Sequence, residues 1–255
     1  MSLKMIFLGS GSAFTVGFEN YQSNILFELD GDSLLIDAGA DIRHALFEQK
    51  RSYNDVNNVY ITHLHGDHSG GLEWLALTRF FKEDSKGLPN LYISETLVDD
   101  LWNKTLSGGL STIPNRQACL GTYFNLHPIK HHEGFIWHSI YFKLVQTVHY
   151  YNDYELMPSF GLLFTYNKKR IFFTSDTQSA PEQLSAFYQE ADIIFHDCET
   201  QEHKSGVHAH YSDLLQLPLE IRNKMWLYHY NPGNLPNAKK DGFLGFVVKG
   251  QTFTF

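Results

Sequence analysis

Short apolar runs separated by small-residue turns fill most of the chain, the pattern of strands and helices packed in layers. Residues 5–8 (MIFL) read as a buried strand that ends at Gly9-Ser10-Gly11-Ser12. Residues 24–29 and 34–36 make two more, joined by an Asp30-Gly31-Asp32 hairpin turn and closed by Asp37-Ala38-Gly39. Residues 42–47 have helical spacing. Residues 59–62 (VYIT) form a strand that runs straight into His63-Leu64-His65-Gly66-Asp67-His68. After Ser69-Gly70-Gly71 the period switches, and Leu72, Leu75, Ala76 and Phe80 predict a helix over residues 72–81. A strand over 91–94 and a helix over 96–104 come next. Residues 107–121 are rich in Gly, Ser and Thr and show no period, so a long mobile loop suited to a lid is expected there.

The second half repeats the style. Strands are predicted at 140–148, 161–166 and 170–174, a helix over 181–190 and a strand at 192–195. A helix over 214–223 around Pro218 and strands at 226–228 and 250–255 complete the chain. Strand runs precede helices in each half, which predicts an α/β chain (α+β in some schemes) of two packed sheets with helices outside. A single domain over residues 1–255 is expected.

Composition narrows the function. Twenty basic against 28 acidic residues give a net charge of −8, which argues against a chain built chiefly to grip nucleic-acid backbone. The two cysteines, Cys119 and Cys198, can build neither a disulfide framework nor a four-thiolate zinc site, and they point to a reducing compartment. The first residues carry no leader pattern, and no apolar stretch reaches the ~18 residues that span a bilayer. A soluble, cytoplasmic protein without membrane contact is expected.

The chemistry concentrates in H-x-H-x-D-H: His63, His65, Asp67 and His68. Four ligands in six residues at a strand end suit two divalent ions, and imidazole with carboxylate favours zinc. A histidine-rich surface turn is the bland reading, and the apolar strand directly before the run argues against it.

The run THLHGDHSGG resembles the signature of the metallo-β-lactamase superfamily of hydrolases. LLIDAG at 34–39, VQTVHY with His149, FFTSDT with Asp176 and WLYHY with His229 resemble that superfamily's other motifs, in order. The resemblance implies an αββα four-layer sandwich holding two Zn2+ per chain, with Mn2+ or Fe as substitutes. It implies His63, His65 and His149 on one ion, Asp67, His68 and His229 on the other, and Asp176 bridging both beside a shared water or hydroxide. Taken alone, His149 reads as a structural strand residue, Asp176 as a helix cap and His229 as sheet-end packing. Asp37 can fix the tautomer of a ligand imidazole, or simply begin a turn. His127, His131, His132 and His138 read as loop or surface histidines.

Residues 196–200 (HDCET) and 206–211 (GVHAHY) resemble the corresponding region of ribonuclease Z-like phosphodiesterases, as do GSGSAF and LLIDAGADIRHAL. That resemblance implies a catalytic histidine, His208 or His210, which contacts phosphate and protonates the leaving oxygen. Glu199 would orient it, and Asp67 would act at the metals. The extended basic arm of tRNA-processing members is missing, because only 26 residues separate His149 from Asp176. The compact chain is similar to bacterial and phage phosphodiesterases that open cyclic nucleotides, the anti-Pycsar type included, which implies a homodimer. Tyr150, Tyr151, Tyr154 and Phe160 offer a surface for stacking a base, or else pack the sheet edge. The expected substrate is a small or nucleotide phosphodiester, either a cyclic nucleotide or an RNA 3′ end, with long RNA disfavoured by charge. Lactone or thioester hydrolysis and mononuclear-iron persulfide dioxygenation use the same ligand pattern and are the alternatives.

Overall fold

The computed structural model describes residues 2–151 and 153–255; Met1 and Asn152 fall outside them. The chain divides into two compact units. One comprises the N-terminal stretch to Gly9 with Tyr21–His131 and Lys249–Thr254, the other Ser10–Asn20 with His132–Val248.

Each unit is built on one seven-stranded sheet. In the first, the strand order is Thr252–Thr254, Lys4–Phe7, Ile25–Leu29, Asp32–Ile36, Asn58–Ile61, Asn90–Ser94 and Asn125–Ile129. The first four strands pair antiparallel and the rest parallel. In the second, the order is Gly134–Trp137, Ile140–Tyr151, Leu156–Tyr166, Lys169–Phe173, Ile193–Asp197, Met225–Tyr228 and Gly245–Phe246. Again an antiparallel meander of four gives way to parallel pairing. The two sheets therefore share one plan. In open sheets with parallel strands, ligand groups collect at the carboxyl ends of those strands.

The elements follow from the sequence pattern. Strand Asn58–Ile61 is buried at every position, as suits a central parallel strand covered on both faces. Helix Leu72–Phe81 turns Leu72, Leu75 and Ala76 inward. Helix Pro181–Glu190 begins on a proline, whose missing N–H costs nothing at the first position, and buries Leu184 and Tyr188. In the second unit these two pack with Val145, Phe172, Ile194, Met225 and Leu227 in one apolar core.

Four expectations need correction. Residues 107–121 are not a structureless loop: they form helix Ser107–Leu110, a two-residue hairpin (Thr112–Ile113 with Arg116–Gln117) and the start of helix Leu120–Tyr123. Leu106, Leu110 and Tyr123 are buried, and the Tyr123 hydroxyl donates to the Leu110 carbonyl at 2.8 Å, so tertiary burial overrides the small-residue composition. The helix over 96–104 continues as a wider, π-helical segment, Leu101–Leu106, into that region. The helix over 214–223 is two short ones, Tyr211–Leu214 and Leu219–Arg222, because Pro218 cannot continue a helix. Strands Asn125–Ile129 and Gly134–Trp137 carry His, Pro and Gly and went unread. Among the described residues no helix is long and apolar enough to cross a membrane.

Candidate functional site

In the first unit the donor turn is fixed by its contacts with the turn after Ile36. The Ala38 N–H donates to the His68 carbonyl at 2.7 Å, and the Gly71 N–H donates to the Ala38 carbonyl at 2.8 Å. A Cβ at Gly39 would lie 2.2 Å from the Asp67 carbonyl oxygen, so only glycine allows this approach. Asp37, in a left-handed conformation at φ 63, is the centre of the network. Its Oδ1 accepts from the Thr62 N–H at 2.8 Å. Its Oδ2 accepts from the Thr62 hydroxyl at 2.8 Å and from His68 Nδ1 at 2.7 Å.

These bonds set the tautomers. The Thr62 hydroxyl spends its proton on Asp37, so at 3.0 Å it accepts from His63 Nδ1–H. Both His63 and His68 are therefore left with a lone pair on Nε2, the form a metal needs. His63 Nε2 stands 3.2 Å from His65 Nδ1, and His68 Nε2 stands 3.2 Å from Asp67 Oδ2. The edge of a zinc tetrahedron with ~2.05 Å bonds is about 3.3 Å, so both spacings suit two atoms on one ion. His63, Asp67 and His68 are buried. Burial pushes the Asp37 carboxyl above its usual range, against the pull of His68 and Thr62.

In the second unit the donors come from four separate segments. His149 lies near the end of strand Ile140–Tyr151, Asp176 follows Lys169–Phe173, Asp197 ends Ile193–Asp197, and His229 follows Met225–Tyr228. His149 Nδ1 donates to the Val207 carbonyl at 2.9 Å, which leaves Nε2 as its lone-pair atom, 3.7 Å from Asp176 Oδ2. His229 Nε2 lies 3.4 Å from the same oxygen. His208 Nδ1 is 2.8 Å from Asp197 Oδ2 and 3.9 Å from Asp176 Oδ2. Ligand atoms of Asp176, Asp197, His208 and His229 all lie within 4.8 Å of one another. Two ring nitrogens at ligand–ligand spacing from one carboxylate, with the other nitrogen of His149 already bonded, form a donor set that fits a divalent ion.

Burial alone would drive His208 down, but Asp197, through charge and hydrogen bond, and then Asp176 hold it above its usual value. Burial alone would raise Asp197, and His208 and His229 reverse that, so its carboxyl sits low. Each partner thus favours the charged form of the other.

His210 and Glu199 stand apart from this cluster. His210 Nδ1 accepts from the Ser212 N–H at 3.2 Å, capping helix Tyr211–Leu214, and its Nε2 donates to the Gln201 carbonyl at 2.9 Å. Glu199 accepts from the Ser205 N–H at 2.9 Å and from Gln201 Nε2 at 3.2 Å. The carboxylate that orients His208 is Asp197, not Glu199. Sequence reasoning passed over Asp197, although a carboxylate ending an apolar strand was the available signal. Of the aromatic run, Phe160 is buried, whereas Tyr150, Tyr151 and Tyr154 are exposed.

Fold and donor set define a metallo-β-lactamase-fold, metal-dependent hydrolase. The chain superposes over its full length on the metallo-β-lactamase fold protein YhfI from Bacillus subtilis, covering 100% of each, at TM-score 0.75 and 16% identity. It matches the short form of human tRNase Z at TM-score 0.70 and 18% identity, covering 98% of each. A family model for the anti-Pycsar protein Apyc1 matches residues 3–253. The Apyc1 protein of Paenibacillus harenae is 37% identical over 232 residues, 90% of both chains. The chain belongs to the anti-Pycsar Apyc1 family.

Proposed function

We propose that the protein opens a cyclic nucleotide phosphodiester with two zinc ions bound, the two units acting as one hydrolase domain. His63, His65 and His149 would hold one ion and Asp67, His68 and His229 the other, with Asp176 between them. Bound zinc lowers the pKa of a water and neutralises charge on a phosphoryl oxygen. The observation that carries the reading is the His208–Asp197 pair beside Asp176.

His208 supplies the acid. Its Nδ1–H stays on Asp197, so the Nε2–H is the proton to give. As a water oxygen bonds to phosphorus, losing a proton to solvent, and the ester P–O bond breaks, the His208 proton passes to the leaving oxygen and the imidazolium becomes a neutral imidazole. Its side chain is 18% exposed, enough to meet a substrate oxygen. Asp197 favours the imidazolium beforehand and keeps the ring oriented. The exposed Tyr150, Tyr151 and Tyr154 suit stacking of a base, and the net charge of −8 disfavours long RNA. Free Cys119 and Cys198 agree with a reducing, cytoplasmic setting, and a homodimer is part of the proposal by the resemblance alone.

The test is turnover of bis(4-nitrophenyl) phosphate and of 2′,3′- and 3′,5′-cyclic nucleotides by zinc-loaded protein, with metal content measured alongside. Hydrolysis well above His65→Ala, with two zinc ions per chain, is expected. No turnover above that control overturns the proposal. A lactone or thioester hydrolase would keep its activity in His208→Ala, because it needs no such acid.

A further inference from the structure

Three non-glycine residues beside the donors occupy the left-handed region: Asp37 at φ 63, Ser175 at φ 55 and His229 at φ 61. Such a backbone costs free energy for an L-residue and persists only where its surroundings over-determine it. For Ser175, directly before Asp176, the surroundings are a set of buried hydroxyls that the acid chemistry does not use.

Thr147 and Ser159 face each other across the antiparallel pair Ile140–Tyr151 and Leu156–Tyr166. Both are fully buried. The Ser159 hydroxyl donates to the Ser175 hydroxyl at 2.8 Å. The Thr147 hydroxyl proton is shared between the Asp176 carbonyl at 3.1 Å and the Ser159 carbonyl at 3.2 Å. Thr174 donates its hydroxyl to the Ser175 carbonyl at 2.8 Å and accepts from the Asp197 N–H at 3.1 Å. The peptide planes on both sides of Asp176's N–Cα–C unit are thus pinned, at the Ser175 carbonyl and at the Asp176 carbonyl. The Ser175 side chain is pinned as well. The neighbouring strand also needs Gly161, where a Cβ would meet the Phe173 and Thr174 carbonyl oxygens at 2.4 and 2.5 Å.

We propose that Ser159 and Thr147 are positioning residues for Asp176: the Ser159 hydroxyl holds the left-handed Ser175, the Thr147 hydroxyl holds the Asp176 carbonyl, and together they aim the Asp176 carboxylate at His149 and His229. Neither hydroxyl touches the carboxylate itself; they act through the backbone. The inference rests on Asp176 being the shared metal ligand, and one arm of its test is independent of metal.

The variants are Ser159→Ala, Thr147→Val and Thr147→Ser, the last keeping the hydroxyl. The first readout is hydrogen exchange over residues 173–178 in metal-free protein. Exchange at least tenfold faster than wild type is expected in Ser159→Ala and Thr147→Val, with Thr147→Ser close to wild type. The second is the visible spectrum and metal content of cobalt-loaded protein. Altered cobalt bands and at least tenfold weaker retention of one ion are expected in the two disrupting variants only. Unchanged exchange and unchanged cobalt bands in both overturn the inference, and so does a Thr147→Ser variant as impaired as Thr147→Val. If Thr147→Val fails to fold, Ser159→Ala decides. Should wild type itself bind no metal, the proposed function fails, and the exchange arm still decides whether the hydroxyls hold the loop.

Discussion

The two units follow one plan and use it differently. In each, a four-stranded meander gives way to parallel strands, and a buried carboxylate near that switch lies beside two histidines. Asp37 holds His68 directly and His63 through Thr62. Asp197 holds His208, with His229 3.4 Å away. At Asp37 burial outweighs the rest and its carboxyl is pushed up; at Asp197 burial is again the largest single effect, but the charge and hydrogen bond of His208 with the contribution of His229 together outweigh it and its carboxyl is held low. The first carboxylate leaves lone pairs free on its imidazoles, whereas the second favours the protonated form of His208. In the proposed function, one motif, a strand-end carboxylate facing imidazoles, thus yields a ligand set in one place and an acid in the other.

The largest effect that would sharpen this contrast comes from Asp176, the carboxylate that both His149 and His229 face. Asp176→Ala should reduce phosphodiesterase turnover to the level of the His65→Ala control and lower metal content below that of wild type. Retention of both ions would break the reading of the second unit as a ligand set.

His208→Ala comes next. It should lower kcat by ~10²–10⁴-fold with metal content unchanged, since it removes an acid and no ligand. Loss of metal instead would erase the distinction between the two carboxylates. The pair also predicts a pH signature in metal-free protein. His208 lies above its ordinary 6.5, so its contribution to stability is complete below that pH and is lost as pH rises through the raised value. Asp197 lies below its ordinary 3.8, so its contribution is complete above that pH and is lost as pH falls through the lowered value. Urea midpoints of wild type and His208→Ala should therefore differ most between about pH 4 and 6.5 and converge in alkali. A constant difference up to pH 9 would contradict the ion pair.

The contrast also explains what could be read from the chain. His63, His65, Asp67 and His68 sit within six residues, so strand-then-turn spacing alone marks them as a donor group. His149, Asp176 and His229 were legible only as an ordered set of motifs, because each taken singly is an ordinary strand-end residue. The partner of His208 was not legible. Asp197 and Glu199 are two residues apart, one ending strand Ile193–Asp197 and the other just beyond it. Only the parallel pairing of Asp197 with Tyr228, and the path of 206–210 back toward it, selects between them. Likewise nothing local distinguishes His208 from His210; the difference is that His210 begins a helix. The fold class was visible in the strand order, while residues 107–123 were not, since their structure depends on burying Leu106, Leu110 and Tyr123.

A smaller effect probes the first carboxylate. Asp37→Asn keeps the shape of the side chain but places an amide against His68 Nδ1. Partners of this kind are worth ~10–100-fold in metal affinity. Zinc retention against a chelator should fall by that amount, with kcat at saturating zinc changed far less. An equal loss of kcat at full occupancy would assign Asp37 to the reaction and remove its difference from Asp197.

The smallest effect is expected at His210, and it separates two histidines that the sequence leaves equivalent. Its ring is fully engaged in structure, with Nδ1 receiving the Ser212 N–H and Nε2 bonded to the Gln201 carbonyl. An N-cap of this sort stabilises a helix by roughly 1 kcal/mol. Helix Tyr211–Leu214 is short, so even that loss should be felt locally rather than across the sheet. His210→Ala should therefore lower the urea midpoint slightly and leave kcat, metal content and the cobalt spectrum as in wild type. His210→Asn, which keeps a side-chain acceptor, should recover most of the midpoint. If His210→Ala instead reduced kcat as far as His208→Ala does, the acid would not be confined to the Asp197 pair, and the division of labour between the two buried carboxylates would have to be redrawn.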